Sequence, residues 1–128
     1  MFLESLIEKL DLKNIVVVNE RGEDYSLKHR EEYDYVTARA VSNLNNLIEV
    51  CGAMVKENGY FICLRGKDGR LEIKKAEKAI EIMGFEIESI KDECLFNGSN
   101  RVISYFKKSK KTPLKYPRKY SIIKQKPL

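Results

Sequence analysis

Arg39 stands just past the run Tyr33-Asp34-Tyr35-Val36-Thr37. A guanidinium at the end of a buried strand can clamp a carboxylate, a phosphate or a planar base through two parallel hydrogen bonds. An ion pair with Glu23, Asp24 or Asp34 is the plainer role open to it. Glu23 and Asp24, in Arg21-Gly22-Glu23-Asp24, can accept hydrogen bonds from an amino group or a ribose, or can cap a helix turn. Arg65 and Lys67, in Arg65-Gly66-Lys67-Asp68-Gly69, suit a polyanion or simply solvent. His29 is the only histidine and lies in the polar stretch Lys28-His29-Arg30-Glu31-Glu32, where it reads as a surface residue. A serine or cysteine nucleophile therefore lacks its base. No GxGxxG, Walker, HExxH or GxSxG pattern occurs, so no phosphate loop, metalloprotease helix or nucleophile elbow is visible. Cys51, Cys63 and Cys94 are odd in number, far apart and form no CxxC pair. Each falls among apolar neighbours, which predicts reduced core thiols rather than a metal or redox site.

The elements that must position these groups follow from periodicity. Phe2, Leu3, Leu6, Ile7 and Leu10 share one face of a predicted amphipathic helix. Ile15-Val16-Val17-Val18 is an unbroken β-branched run, as in a parallel strand buried on both faces. A second strand fits residues 33–37. A helix then places Leu44, Leu47, Ile48, Cys51, Met54 and Val55 on one stripe, with Ser42 or Asn43 as cap and Asn58-Gly59 as terminator. Residues 60–64 form a third apolar strand. Asp68 can cap the next helix, whose inner face uses Leu71, Ala76, Ala79, Ile80 and Met83 before Gly84 stops it. From Phe85 the period changes to two, and Asn97-Gly98 marks a hairpin returning through residues 101–106. The order predicts an α/β fold, a mostly parallel sheet covered by helices on both faces and ending in an antiparallel hairpin. Ligands of such sheets bind at the carboxyl ends of the strands, here residues 21–24, 37–40 and 65–68.

Charge is segregated. From Lys107 to Leu128 there are nine basic residues and no acidic one, which leaves 15 basic and 19 acidic residues before it. The expected organisation is a domain over residues 1–106 and a basic tail over 107–128, extended rather than helical because it holds Pro113, Pro117 and Pro127. Such a tail has the footprint of phosphate contact, or of a solubilising extension. With 43% hydrophobic and 34% charged residues, disorder is not the default. No apolar run approaches the ~20 residues of a membrane span, and Met1-Phe2-Leu3-Glu4 lacks the basic region of a signal peptide. The expected location is cytoplasmic.

Several of these segments, taken in order, resemble the RsmG (GidB) family of small-subunit rRNA guanine-N7 methyltransferases. Phe2-Leu3 followed by Leu10-Asp11-Leu12-Lys13-Asn14-Ile15 resembles the family's "FL" pair running into "LGLKNV". Arg21-Gly22-Glu23-Asp24 is similar to "RAED", with glycine in place of alanine. Residues 33–41 resemble "YDVVTARAV" nearly throughout. Gly59-Tyr60-Phe61 with Arg65-Gly66 is similar to "GGYFIAMKG", with arginine where lysine is common. Lys111-Thr112-Pro113, Tyr116-Pro117-Arg118-Lys119 and Lys126-Pro127-Leu128 resemble "KTP…KYPRKAG.P…KPL", with Ser121 and Ile123 where glycine and proline are usual.

The resemblance implies a partial Rossmann-like class I methyltransferase sheet lacking its first two strands. The family's "GSGAGFPG" loop and acidic ribose-binding residue precede the point matching Phe2. It implies S-adenosyl-L-methionine as cofactor, held by Gly22, Glu23 and Arg39. It also implies 16S rRNA or the small ribosomal subunit as partner, met by Arg65, Lys67, Arg118 and Lys119. Methylation at guanine N7 needs no protein nucleophile, because that lone pair loses no proton. Two other readings stand beside an incomplete enzyme: a non-catalytic RNA-binding remnant, and one half of a split methyltransferase. Unpaired strand edges at residues 15–18 and 33–37 would then favour self-association or an N-terminal-half partner.

Overall fold

The structure is a computed structural model and describes residues 2–39 and 43–128. Ala40 and Val41 of the motif following Arg39, and Ser42, the alternative helix cap, lie outside the described residues. The sheet has four strands, β1 (Tyr33–Arg39), β2 (Val55–Arg65), β3 (Phe85–Cys94) and β4 (Asn100–Lys108), in the order β1-β2-β4-β3. β1 and β2 are parallel, and β4 runs antiparallel to both β2 and β3. The expected α/β sheet, parallel first and closing in an antiparallel hairpin, is the one observed.

The helices are α1 (Phe2–Lys9), α2 (Gly22–Lys28), α3 (Leu44–Gly52), α4 (Gly69–Lys75), α5 (Glu77–Ile82) and α6 (Tyr120–Gln125). α3 crosses from β1 to β2, and α4 and α5 cross from β2 to β3. Both crossovers move the same way along the sheet, so the right-handed rule puts their helices on the same face. On that face Phe61, Cys63, Val102, Ser104 and Phe106 are buried together with Leu44, Ile48, Ala79, Ile80 and Met83. On the other face Tyr35 is exposed and stacks on Tyr60 at 5.9 Å, Leu64 is exposed, and Ile62, Ile103 and Tyr105 are half-buried. The expectation of helices on both faces is corrected here: covering the second face takes crossovers running in the opposite direction, and none exists among the described residues.

The predicted strand at Ile15–Val18 does not form. That segment is irregular; Ile15, Val16 and Val18 are exposed, and α1 before it buries no residue. A strand needs a neighbour to satisfy its amides, and β1, at the edge of the sheet, has only β2 beside it.

Smaller differences have local causes. α3 is capped by Asn43, whose side chain accepts from Asn46 N at 2.9 Å, but it ends at Gly52, so Met54 leaves the helix and Val55 opens β2. A Cβ at Gly52 would come within 2.8 Å of the Phe85 ring, so the chain passes here only as glycine. The single helix expected after Asp68 is two, broken at Ala76, and the bend leaves Leu71 exposed while Ile73 is buried in its place. Gly84 stops α5 with φ +91°. Of the cysteines, Cys63 is buried, Cys51 half-buried and Cys94 exposed. The expectation of a core thiol fails at Cys94 because the distal part of the β3–β4 hairpin projects beyond the helices.

The tail also departs from expectation. It folds back over the α3 end of the molecule and finishes in α6, where Ser121 and Ile123, lacking the family's glycine and proline, permit a helix that buries Ile123. Arg30 donates to the carbonyls of Tyr116 at 2.8 Å, Thr112 at 3.3 Å and Pro113 at 3.2 Å. The Glu31 carboxylate accepts from Thr112 N at 2.7 Å, and Thr112 Oγ1 donates to Met83 O at 2.8 Å. Asn45 Nδ2 donates to Leu128 O at 2.7 Å. Three prolines remove three donors but leave every carbonyl, and the carbonyls are what Arg30 grips.

Candidate functional site

Two cavities take in Gly22, Glu23, Arg39 and Arg65 of the residues singled out above, while Lys67, Arg118 and Lys119 line neither. The smaller, about 280 Å³, lies between the start of α2 and α3 and is lined by Gly22, Glu23, Asn46, Leu47, Val50, Cys51 and Tyr120. α2 is fixed there by Ser26 Oγ, buried, donating to Val50 O at 2.6 Å. Glu23 falls in the first turn of α2, where the free amide dipoles favour a carboxylate, and its nearest cation is Arg21 at 3.7 Å. Arg21 in turn lies 5.6 Å from the centre of the Tyr120 ring, which ties the tail helix to this cavity. A Cβ on Gly22 would meet only Val50 Cγ1 at 3.8 Å, so alanine would fit equally well at this position. Asn46 Oδ1 is buried with no hydrogen-bond partner among the described residues. Such an orphan acceptor is rare in a folded chain and marks a place for a donor from outside. Asn46 and Tyr120 were not anticipated from sequence; only their one-turn spacing from Asn43 and placement in the tail could have drawn attention to them.

The larger cavity, about 860 Å³, opens at the carboxyl ends of β1 and β2 and is lined by Arg39, Leu64, Arg65, Gly66, Glu93, Leu95, Arg101 and Ile103. Register builds its floor: Arg39 is opposite Leu64, Leu64 opposite Ile103, and Arg101 opposite Glu93. Arg39 is exposed and does not form the ion pair considered for it; Asp34 pairs with Lys56 at 2.7 Å and Glu23 with Arg21. Arg65 is buried and bonded to Glu72, while Lys67 is exposed on the turn. Glu23 and Arg39, expected around one ligand, therefore line separate cavities.

Arg118 is bound inward. Its backbone amide and guanidinium meet the fully buried Glu49 carboxylate, with Arg118 N to Oε2 at 2.7 Å and Nη2 to Oε1 at 2.8 Å, and this bonding raises the Arg118 pKa. Lys119 beside it is exposed. His29 stacks on Tyr25 at 4.1 Å and bonds Glu32 at 2.7 Å. Burial pushes the Cys51 thiol up to about 12 and Cys63 to about 11, so neither is a thiolate at neutral pH. No helix among the described residues is long and apolar enough to cross a membrane.

Comparison with known proteins bears on this arrangement. The fold is similar to that of precorrin 8w decarboxylase from Methanobacterium thermoautotrophicum, with a TM-score of 0.53 at 12% identity over 80% of this chain and 60% of that one. Ribosomal RNA small subunit methyltransferase G of Thermotoga neapolitana is 41% identical over 99% of this chain and 56% of its own length. The proteins of the same name from Desulforamulus reducens and Clostridium botulinum are 44% and 42% identical, each over 54% of its length. The chain thus spans about half the length of the curated relatives it matches. Residues 1–98 match the family described as GidB, rRNA small subunit methyltransferase G. A four-stranded sheet with one bare face and cavities near its carboxyl rim fits a chain that matches half of each relative, and the chain belongs to the GidB family of rRNA small subunit methyltransferases G.

Proposed function

We propose that this chain forms the distal part of an S-adenosyl-L-methionine-dependent methyltransferase acting on guanine N7 of small-subunit rRNA. The observation that carries the reading is the cavity at α2, where the Glu23 carboxylate and the orphaned Asn46 Oδ1 gather beside the apolar Leu47 and Val50. Acceptors next to an apolar wall suit a nucleoside, which presents amino and hydroxyl donors around a flat ring. At about 280 Å³ it falls just under the volumes of whole-ligand sites, which run from roughly 300 to 1,000 Å³. It suits the nucleoside portion of a cofactor. Gly22, Glu23 and Asn46 would hold that portion, and the cofactor, when bound, supplies an electrophilic methyl group on a cationic sulfur.

The protein's own part is positional. Guanine N7 carries a free lone pair, so holding the base in line and excluding water does the work that a general base does elsewhere. The raised thiols and the paired His29 agree with a site that uses no nucleophile. Arg39, at the mouth of the larger cavity, stands between cofactor and RNA in this reading. Lys67 and Lys119, both exposed, meet phosphates; Arg65 and Arg118, each bound to a carboxylate, hold the surfaces that present them.

The bare sheet face and the unpaired edge of β1 favour completion by further chain, whether continuous with this one or separate. The test is transfer of labelled methyl from S-adenosyl-L-methionine to small-subunit RNA by this chain combined with the glycine-loop segment of a relative. Transfer is expected, and Glu23→Ala should reduce it roughly 5- to 150-fold through cofactor affinity, the ~1–3 kcal/mol of a lost hydrogen bond. Absence of transfer from a combination that assembles would overturn the proposal.

A further inference from the structure

We infer that the β3–β4 hairpin reads a guanine nucleotide of the RNA substrate, with Phe96 as stacking platform, Arg101 as phosphate contact and Glu93 as acceptor for the donor edge of guanine. The inference rests on RNA being the substrate, as proposed above, and names the surface that recognises it.

β4 lies between β2 and β3 and runs antiparallel to both, so β2 and β3 point the same way. The hairpin tip therefore stands on the same rim as the carboxyl ends of β1 and β2. Its turn is well built: Leu95 N donates to Ser99 O at 2.7 Å, Gly98 N to Leu95 O at 2.8 Å, and Ser99 N to Asn97 Oδ1 at 2.9 Å, with Gly98 at φ +86°. On this hydrogen-bonded turn Phe96 is fully exposed, at 106% of its reference surface. A large ring held out on an ordered turn packs against nothing among the described residues, and a splayed base is the flat apolar partner that single-stranded RNA offers.

Just below the tip, Glu93 and Arg101 are cross-strand neighbours that line the larger cavity with Leu95 and Ile103. Among the described residues their side chains form no ion pair: the Arg101 guanidinium bonds only the neighbouring Asn100 carbonyl, at 2.9 Å, and the Glu93 carboxylate stays exposed without a side-chain partner. A cation for phosphate, an apolar floor for a ring and a carboxylate for N–H donors are the three chemistries of a guanine nucleotide, whose N1–H and N2–H are adjacent. The exposed Lys67 and the Lys91 ammonium, 5.5 Å from the Tyr105 ring, give the surroundings the sign that RNA requires.

The experiment is fluorescence anisotropy of the full 128-residue chain with a labelled single-stranded RNA hexamer holding one guanine, compared with the same hexamer holding inosine, which lacks the 2-amino group. Phe96→Ala should weaken binding roughly ten-fold, within the range for loss of one stacked base. Arg101→Ala should weaken it and flatten the salt dependence by about one phosphate contact. Glu93→Ala should abolish the preference for guanine over inosine. All three residues are exposed, and circular dichroism verifies that the variants fold. Wild-type binding that is unchanged in all three variants but lost in Lys119→Ala would overturn the hairpin assignment and leave RNA as the substrate. Failure of the wild-type chain to bind RNA, alone or completed by a relative's glycine-loop segment, would remove the RNA reading together with this one.

Discussion

The two ends of the chain invert the usual relation between composition and burial. Residues 2–18 carry an apolar face and a β-branched run that lie mostly exposed, with Phe2 at 75% and Val16 at 86% of their reference surface. Residues 109–128 are basic and hold all three prolines, yet Thr112, Tyr116, Pro117 and Ile123 are buried. Hydrophobicity stabilises a segment only where something covers it, and the strand-like run at residues 15–18 has neither a paired neighbour nor a helix over it. The tail is fixed by partners already present: Arg30 for its carbonyls, Glu31 for an amide, Glu49 for its arginine. Charge in the tail is thus divided between residues that hold it down and residues, such as Lys119, that stay exposed.

The contrast is broken most severely at Glu49. Glu49→Ala removes four hydrogen bonds to Arg118, whose side chain is only 20% exposed, and the lost partner should cost roughly 3–5 kcal/mol. Urea denaturation measures that loss, and limited proteolysis should show the tail cut first. An unfolding curve that overlays the wild type would mean the tail is not anchored there. Next in size is Ile123→Ala, which empties a fully buried site in α6 and should cost about 3 kcal/mol by the same measurement.

A pH experiment sharpens the picture at the base of the tail. Lys108 is buried, donates to Gly52 O at 2.7 Å and lies 3.8 Å from Glu31; burial pulls its pKa from 10.5 down to about 8. Between about 8 and 10.5 the unfolded chain keeps a proton that the native chain has released, so this group makes stability rise with pH across that window. The rise, taken as the difference between wild type and Lys108→Met in denaturation series at pH 7.5 to 10, should be present only in the wild type. An identical slope in both would assign the pH dependence elsewhere. The smallest effect is expected at the other end. Val16→Ala should change stability by no more than ~0.5 kcal/mol, because an exposed valine has little to lose; a loss comparable with Ile123→Ala would show that residues 15–18 are packed after all.

Local pattern alone determined a good deal of this protein. The β-branched and aromatic runs at 33–37 and 60–64 became β1 and the body of β2, Gly84 stopped a helix, and Asn97-Gly98 closed the hairpin, because each depends on residues within a few positions of one another. The basic tail and the rim loops carrying Glu23, Arg39 and Lys67 were equally visible. The tertiary structure decided the rest. A period of two or 3.6 tells which side of its own element a residue occupies, but not whether another element lies against that side. Hence residues 15–18, patterned as a buried strand, stay unpaired, and one face of the sheet is bare because both crossovers turn the same way. For the same reason Glu23 and Arg39 face separate cavities, and Asn46, Glu49, Glu93 and Arg101 acquire their significance only from partners on other elements of the chain.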